Sequence, residues 1–169
     1  MSHRITLLTG GSRSGKSRHA LELAMTYERR AFIATAVAFD DEMRDRVGKH
    51  QDERGAAFAT LEEPRDLAGA LRRIPTGTDV AVIDCLTVWL GNLMHENATE
   101  SGLIEAFLGA LEDPPCDLLI VTNEVGMGIV PGNAMARDFR DLAGSLNQKV
   151  AALAGHVILM VSGLPLVVK

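Results

Sequence analysis

Short apolar runs alternate along the chain with longer amphipathic segments. Ile5–Thr9, Ala31–Ala36, Val80–Ile83, Leu118–Val121 and Val157–Val161 are apolar throughout and rich in branched residues, so they predict buried strands. Between them, helical spacing predicts helices over Gly15–Arg29, Asp40–Arg54, Leu67–Ile74, Leu86–Met94, Leu103–Leu111 and Ala134–Ala154. Acids in the first turn of Asp40–Arg54 favour a helix start there. Leu166–Val168 can fold back on the last strand as an antiparallel edge hairpin. Strands buried on both faces, separated by helices, predict an α/β fold: a mostly parallel sheet with helices on both faces.

Length sharpens this picture to a single domain over residues 1–169. With 47% hydrophobic but only 4% aromatic residues, the core must be aliphatic. Seventeen Lys and Arg against 22 Asp and Glu give a net charge of −5, which argues against a nucleic-acid binder. Cys85 and Cys116 form no CxxC pair, so a disulfide framework and a structural zinc site are not expected, and a reducing compartment fits. No apolar leader opens the chain. Val150–Val168 carries no formal charge, but Gly155, His156, Ser162, Gly163 and Pro165 break it, which argues against a membrane-spanning helix. A soluble, cytoplasmic protein is the expectation.

The strongest chemical signal is Gly10-Gly11-Ser12-Arg13-Ser14-Gly15-Lys16-Ser17, a G-x-x-x-x-G-K-[ST] phosphate loop between a predicted strand and a predicted helix. Its glycines let backbone N–H groups face phosphates, and the helix start adds positive potential. Lys16 should reach the β- and γ-phosphates and Ser17 should ligate Mg²⁺. Asp84, closing Val80–Ile83, is placed to hold Mg²⁺ or its water or to contact nucleotide; a cap on the helix that follows is the alternative, and both roles could hold together.

Arg46, His50 and Arg54 fall at i, i+4 and i+8 and share one helical row. Flanking arginines would attract a polyphosphate and oppose protonation of the imidazole, leaving it nucleophilic. A partly buried, hydrogen-bonded histidine is the structural alternative. His3, His19, His95 and His156 have no such setting and read as surface or core residues. Glu62 and Glu63 can accept hydrogen bonds from ribose or base, or be ordinary surface acids. Asn123 and Glu124 open a glycine-containing segment after a buried strand, where open α/β sheets bind ligands; a plain turn is the alternative.

Four segments carry a resemblance. They are Thr9–Ala20, Asp41-Glu42-Met43 through Arg46 to His50 and Arg54, Asp84-Cys85-Leu86-Thr87, and the run Val121 to Pro131. The chain resembles the bifunctional adenosylcobinamide kinase / adenosylcobinamide-phosphate guanylyltransferase family of cobalamin biosynthesis, over nearly its whole length. The resemblance implies a P-loop, RecA-like fold. It implies that ATP or GTP phosphorylates adenosylcobinamide, and that GMP from GTP then passes to adenosylcobinamide phosphate through a histidine, here His50. It assigns nucleotide contacts to Gly10–Ser17, Val37, Arg54, Glu62 and Asp84, and implies Mg²⁺ and a homotrimer. Many members carry glutamate at the position of Asp84, and the shorter side chain bears on how a metal or ribose is held.

The rival reading is a P-loop small-molecule kinase without guanylyl transfer. A GTPase switch would carry N-K-x-D and a transporter ATPase an L-S-G-G-Q-like signature, and the sequence has neither.

Overall fold

In the computed structural model, residues 3–37 and 57–169 are described. The helix expected over Asp40–Arg54, with Arg46, His50 and Arg54, lies outside them. In chain order the elements are β1 (Ile5–Gly10), α1 (Lys16–Ala24), β2 (Arg30–Ala34), β3 (Ala59–Glu62), α2 (Leu67–Arg72), β4 (Val80–Asp84), α3 (Leu86–His95), α4 (Leu103–Ala110), β5 (Asp117–Val121), α5 (Ala134–Leu153), β6 (His156–Val161) and β7 (Leu164–Val167).

The seven strands form one sheet in the order β3-β2-β4-β5-β1-β6-β7. All neighbours are parallel except β6 and β7. The order places β5 between the strand that feeds the phosphate loop and the strand that ends at Asp84, in a mostly parallel α/β sheet.

Both faces of the sheet are covered, which explains why its strands read as unbroken apolar runs. One core layer joins Leu7, Ile33, Ile83 and Ile120 to Trp89, Phe107 and Leu146 from the helices. The other joins Leu8, Phe32, Val82 and Leu119 to Ala20 and Ala24 of α1. Successive residues of one strand serve opposite layers, as the period-two geometry requires. Trp89 is fully buried, stacks edge-on against Phe107 at 5.2 Å and donates its indole N–H to Arg65 O. It thereby ties α3 to α4 and to the segment entering α2.

Three elements depart from expectation. The first helix ends at Ala24, not Arg29. The Thr26 hydroxyl bonds Leu23 O, competing for a helical carbonyl, and the Tyr27 hydroxyl is drawn to Asp117 at 2.9 Å. The strand β3 has no apolar run to announce it, because it is a sheet edge formed by backbone pairing with β2. The terminal hairpin is present, but β7 runs Leu164–Val167. Its two-residue turn, Ser162-Gly163, has φ of 52° and 83°, the pair of positive values that a tight right-twisting hairpin needs. Among the described residues no helix is long and apolar enough to cross a membrane.

Candidate active site

The phosphate loop leaves β1 at Gly10 and enters α1 at Lys16. Its path is fixed by contacts that leave no room for a side chain. A Cβ on Gly10, at φ +142°, would lie 2.5 Å from Met160 O of β6. The loop is also braced from the terminal hairpin, since Gly163 N donates to Ser14 O at 3.0 Å. On the other side Glu124 N donates to Gly10 O at 3.0 Å. Ser14 is buried, whereas Gly11, Ser12 and Arg13 face solvent.

Lys16 is only 6% exposed, unusual for a lysine. Its ammonium donates to Gly11 O at 2.6 Å and lies 3.4 Å from Ser14 Oγ. Burial lowers its pKa, and the negative forms of Cys85 and Asp84 only partly offset that. The charge is thus held, poorly solvated, inside a loop of backbone dipoles. That arrangement favours an incoming phosphate as partner. Ser17 follows in the first turn of α1, half-buried.

Asp84 is the last residue of β4, half-buried and close enough to Lys16 to influence its titration. The helix-capping alternative fails: Cys85 occupies the N-cap of α3, in extended conformation and with no side-chain cap bond. The Asp84–Cys85 peptide is cis. Thr35 clamps this strand end, its hydroxyl accepting from Cys85 N at 2.8 Å and donating to Cys85 O at 2.9 Å. Asn92 of α3 then donates to Thr35 O and Pro64 O. One buried network therefore fixes the carboxyl ends of β2 and β4 and the exit from β3, the ground on which Val37, Glu62 and Asp84 stand.

By donor chemistry a hydroxyl such as that of Ser17 and a carboxylate such as that of Asp84 would suit Mg²⁺, which takes few protein oxygens and keeps waters and phosphates as its other ligands. Among the described residues no cluster of three acidic, His or Cys side chains exists that would hold a metal by itself.

The other expected residues separate into two groups. Lys16, Asp84 and the loop come together, with Ser17 next to Lys16 in the chain. Val37 and Glu62 lie farther along the same carboxyl edge. Glu62 ends β3, four strands from β1, a lateral distance of about 19 Å at ordinary strand spacing. Glu62 therefore stands well apart from the Lys16 ammonium. Glu63 is no ligand acid. It accepts from Arg65 N, Asp66 N and the Arg73 guanidinium. Burial alone would raise its pKa, but Arg73 and those two backbone bonds outweigh it and hold it low.

After β5 the backbone is also spoken for. Asn123 N donates to Thr87 Oγ1 at 2.7 Å, and Asn123 O accepts from Asn147 Nδ2. The Glu124 carboxylate accepts from Gly126 N at 2.8 Å. Sequence reasoning missed the support from Gly163 and Thr35. A Ser-Gly pair after an apolar strand was the only signal for the first, and nothing signalled the second.

Against known proteins, residues 6–168 match the family described as cobinamide kinase / cobinamide phosphate guanyltransferase. The chain belongs to this family. Curated relatives agree. The chain is 40% identical to the bifunctional adenosylcobalamin biosynthesis protein CobU of Salmonella typhimurium, over 96% of this chain and 98% of that one. It is 36% identical to the Escherichia coli protein of the same name, with the same coverage. It is 40% identical to the bifunctional adenosylcobalamin biosynthesis protein CobP of Pseudomonas aeruginosa, over 96% of each chain. A solved Pyrococcus horikoshii OT3 structure, project PH0250, shares the fold alone: TM-score 0.57, 7% identity, 100% of this chain and 88% of that one. The protein is thus a cobinamide kinase and cobinamide-phosphate guanyltransferase of cobalamin biosynthesis, with ATP and GTP as the substrates the family implies.

Proposed function

We propose that this single-domain enzyme performs both reactions at one phosphate loop, and that GMP travels between them on His50. The observation that carries the reading is the loop itself, with the Lys16 ammonium buried within it and Asp84 beside it. In the kinase step the adenosylcobinamide hydroxyl oxygen attacks the γ-phosphorus of ATP or GTP, the bond to the nucleoside diphosphate oxygen breaks, and the hydroxyl proton is released to solvent. Lys16 and the loop N–H groups take up charge on the phosphate oxygens. In the transfer step a neutral His50 nitrogen attacks the α-phosphorus of GTP, and pyrophosphate leaves. An oxygen of adenosylcobinamide phosphate then displaces the imidazole, giving adenosylcobinamide-GDP and free His50.

Ser17 and Asp84 would hold Mg²⁺, whose charge would offset that of the phosphates. Val37, Arg54 and Glu62 complete the nucleotide contacts in this reading. For Glu62 the lateral spacing supports a role toward ribose or base, away from the terminal phosphate. Assembly as a homotrimer finds support in β7, a sheet edge among the described residues, whose Leu164, Leu166 and Val167 are largely exposed. Two buried free thiols suit a cytoplasmic setting.

The test is to incubate the protein with GTP labelled at the α-phosphate and Mg²⁺, then look for covalent label that is acid-labile and alkali-stable. Label on wild type and none on His50→Ala, with kinase turnover largely kept, is expected. A folded, GTP-binding wild type without label would leave a P-loop kinase and remove the histidine intermediate.

A further inference from the structure

The segment that joins β5 to α5 is held by several hydrogen bonds, yet it turns apolar side chains to solvent. Met127 is 79% exposed, Ile129 99%, Val130 61% and Met135 72%. The exposure is built in. Gly126 N is held by the Glu124 carboxylate, Arg137 Nη1 grips Pro131 O at 3.0 Å, and Asn133 caps α5 by accepting from Ala136 N. No charged residue occurs from Val125 to Ala136. A braced apolar patch of this kind on a folded surface marks a binding site.

Its location says for what. Glu124 N bonds Gly10 O of the phosphate loop. Met127 is three residues on, so it starts within about 10 Å of that point by chain length alone. The acceptor hydroxyl must reach the γ-phosphate on the same loop, so the body of the acceptor has to rest on surface beside it. That body is a corrinoid: a broad, methyl-studded ring with uncharged carboxamides at its rim. Apolar side chains suit the ring, and Gly128 and Gly132, with open space where a Cβ would be, leave bare peptide groups for the carboxamides.

We propose that the Gly126–Met135 segment is the docking surface for the corrinoid body of the acceptor, with Met127, Ile129 and Val130 as its apolar contacts. This rests on the functional reading above.

The test is the double variant Met127→Ser/Ile129→Ser, both exposed positions, assayed in the kinase step with adenosylcobinamide. The KM for adenosylcobinamide should rise about tenfold or more, while kcat at saturation stays near wild type, the pattern of lost ground-state binding. Covalent labelling by GTP, which needs no corrinoid, should be unchanged and reports an intact fold and nucleotide site. Ile129→Leu should keep the wild-type KM. An unchanged KM in the double variant, with wild type active and labelled, overturns this inference alone. A KM rise accompanied by a smaller assembly in light scattering would assign the patch to contact between copies and also overturn it. A wild type inert toward adenosylcobinamide overturns the functional reading and this inference with it.

Discussion

The two ends of the sheet use polar residues in opposite ways. At the amino end they are spent on one another. Asp117 accepts from Arg4 N and from the Tyr27 hydroxyl, both at 2.9 Å, and Arg4 Nε lies 3.4 Å away. Asp79 takes the backbone N–H and two side-chain donors of Arg29. At the carboxyl end the same sheet bends its backbone into positive φ at Gly10, Arg13 and Gly15 and buries the Lys16 charge against neutral oxygens. The first end is built to stay closed. The second holds charge and strain that a phosphate would satisfy, and carries an apolar loop that a folded chain gains nothing by exposing. The comparison teaches that a polar cluster is a site only where its members have not already neutralised each other.

Substitutions at the two ends should therefore separate activity from stability. The largest effect is expected for Lys16→Ala. Both phosphoryl transfer and GTP labelling should fall by about 100-fold or more, with little change in the urea midpoint. Wild-type rates for either reaction would break the idea of one shared phosphate site.

Next comes Asp117→Asn at the amino end, with the opposite profile. Stability should drop by roughly 1–3 kcal/mol, the usual cost of losing hydrogen bonds to a charged group, while kcat at low temperature is retained. The pH dependence gives a second reading. Burial alone would raise the Asp117 pKa, but the Arg4 N–H, the Tyr27 hydroxyl and the Arg4 charge hold it below the ordinary value. Its contribution is complete above the unfolded carboxylate pKa of about 4. It disappears as pH falls from there through the lower folded value. Denaturation curves across that range should show a shallower acid loss in Asp117→Asn than in wild type. Identical slopes would mean that the cluster stores no charge-dependent stability.

A smaller effect is expected for Gly163→Ala, which sits between the two behaviours. Its φ of +83° costs a Cβ-bearing residue about 1–2 kcal/mol, and its N–H braces Ser14 O. Thermal stability should fall modestly and GTP affinity should fall with it. Loss of stability without loss of affinity would show that the hairpin does not support the loop.

The smallest effect is chemical. Burial pushes the Cys85 thiol up to about 11 and Cys116 to about 12. Neither should react with an aromatic disulfide reagent at neutral pH until the chain is unfolded; rapid native labelling of either would contradict their burial.

The sequence by itself determined the sheet's buried strands, because fully apolar runs have no other soluble home, and the phosphate loop, because its glycines and lysine are a local geometry. It pointed to Asp84 by its place at a strand end, and to the family through the run Val121–Pro131. It left open whether Asp84 capped a helix, and residue pattern alone read Glu62 and Glu63 alike, although the family resemblance singled out Glu62. Only tertiary structure decided those. Cys85 took the cap position, and Glu63 met Arg73 from ten residues away while Glu62 stayed at the sheet's far edge. The same holds for β3, whose pairing with β2 needs no hydrophobic pattern, and for the clamp of Thr35 on Cys85, fifty residues apart. Local periodicity reports which face of an element must be buried. Which partner a polar group finds depends on what the chain brings back from a distance.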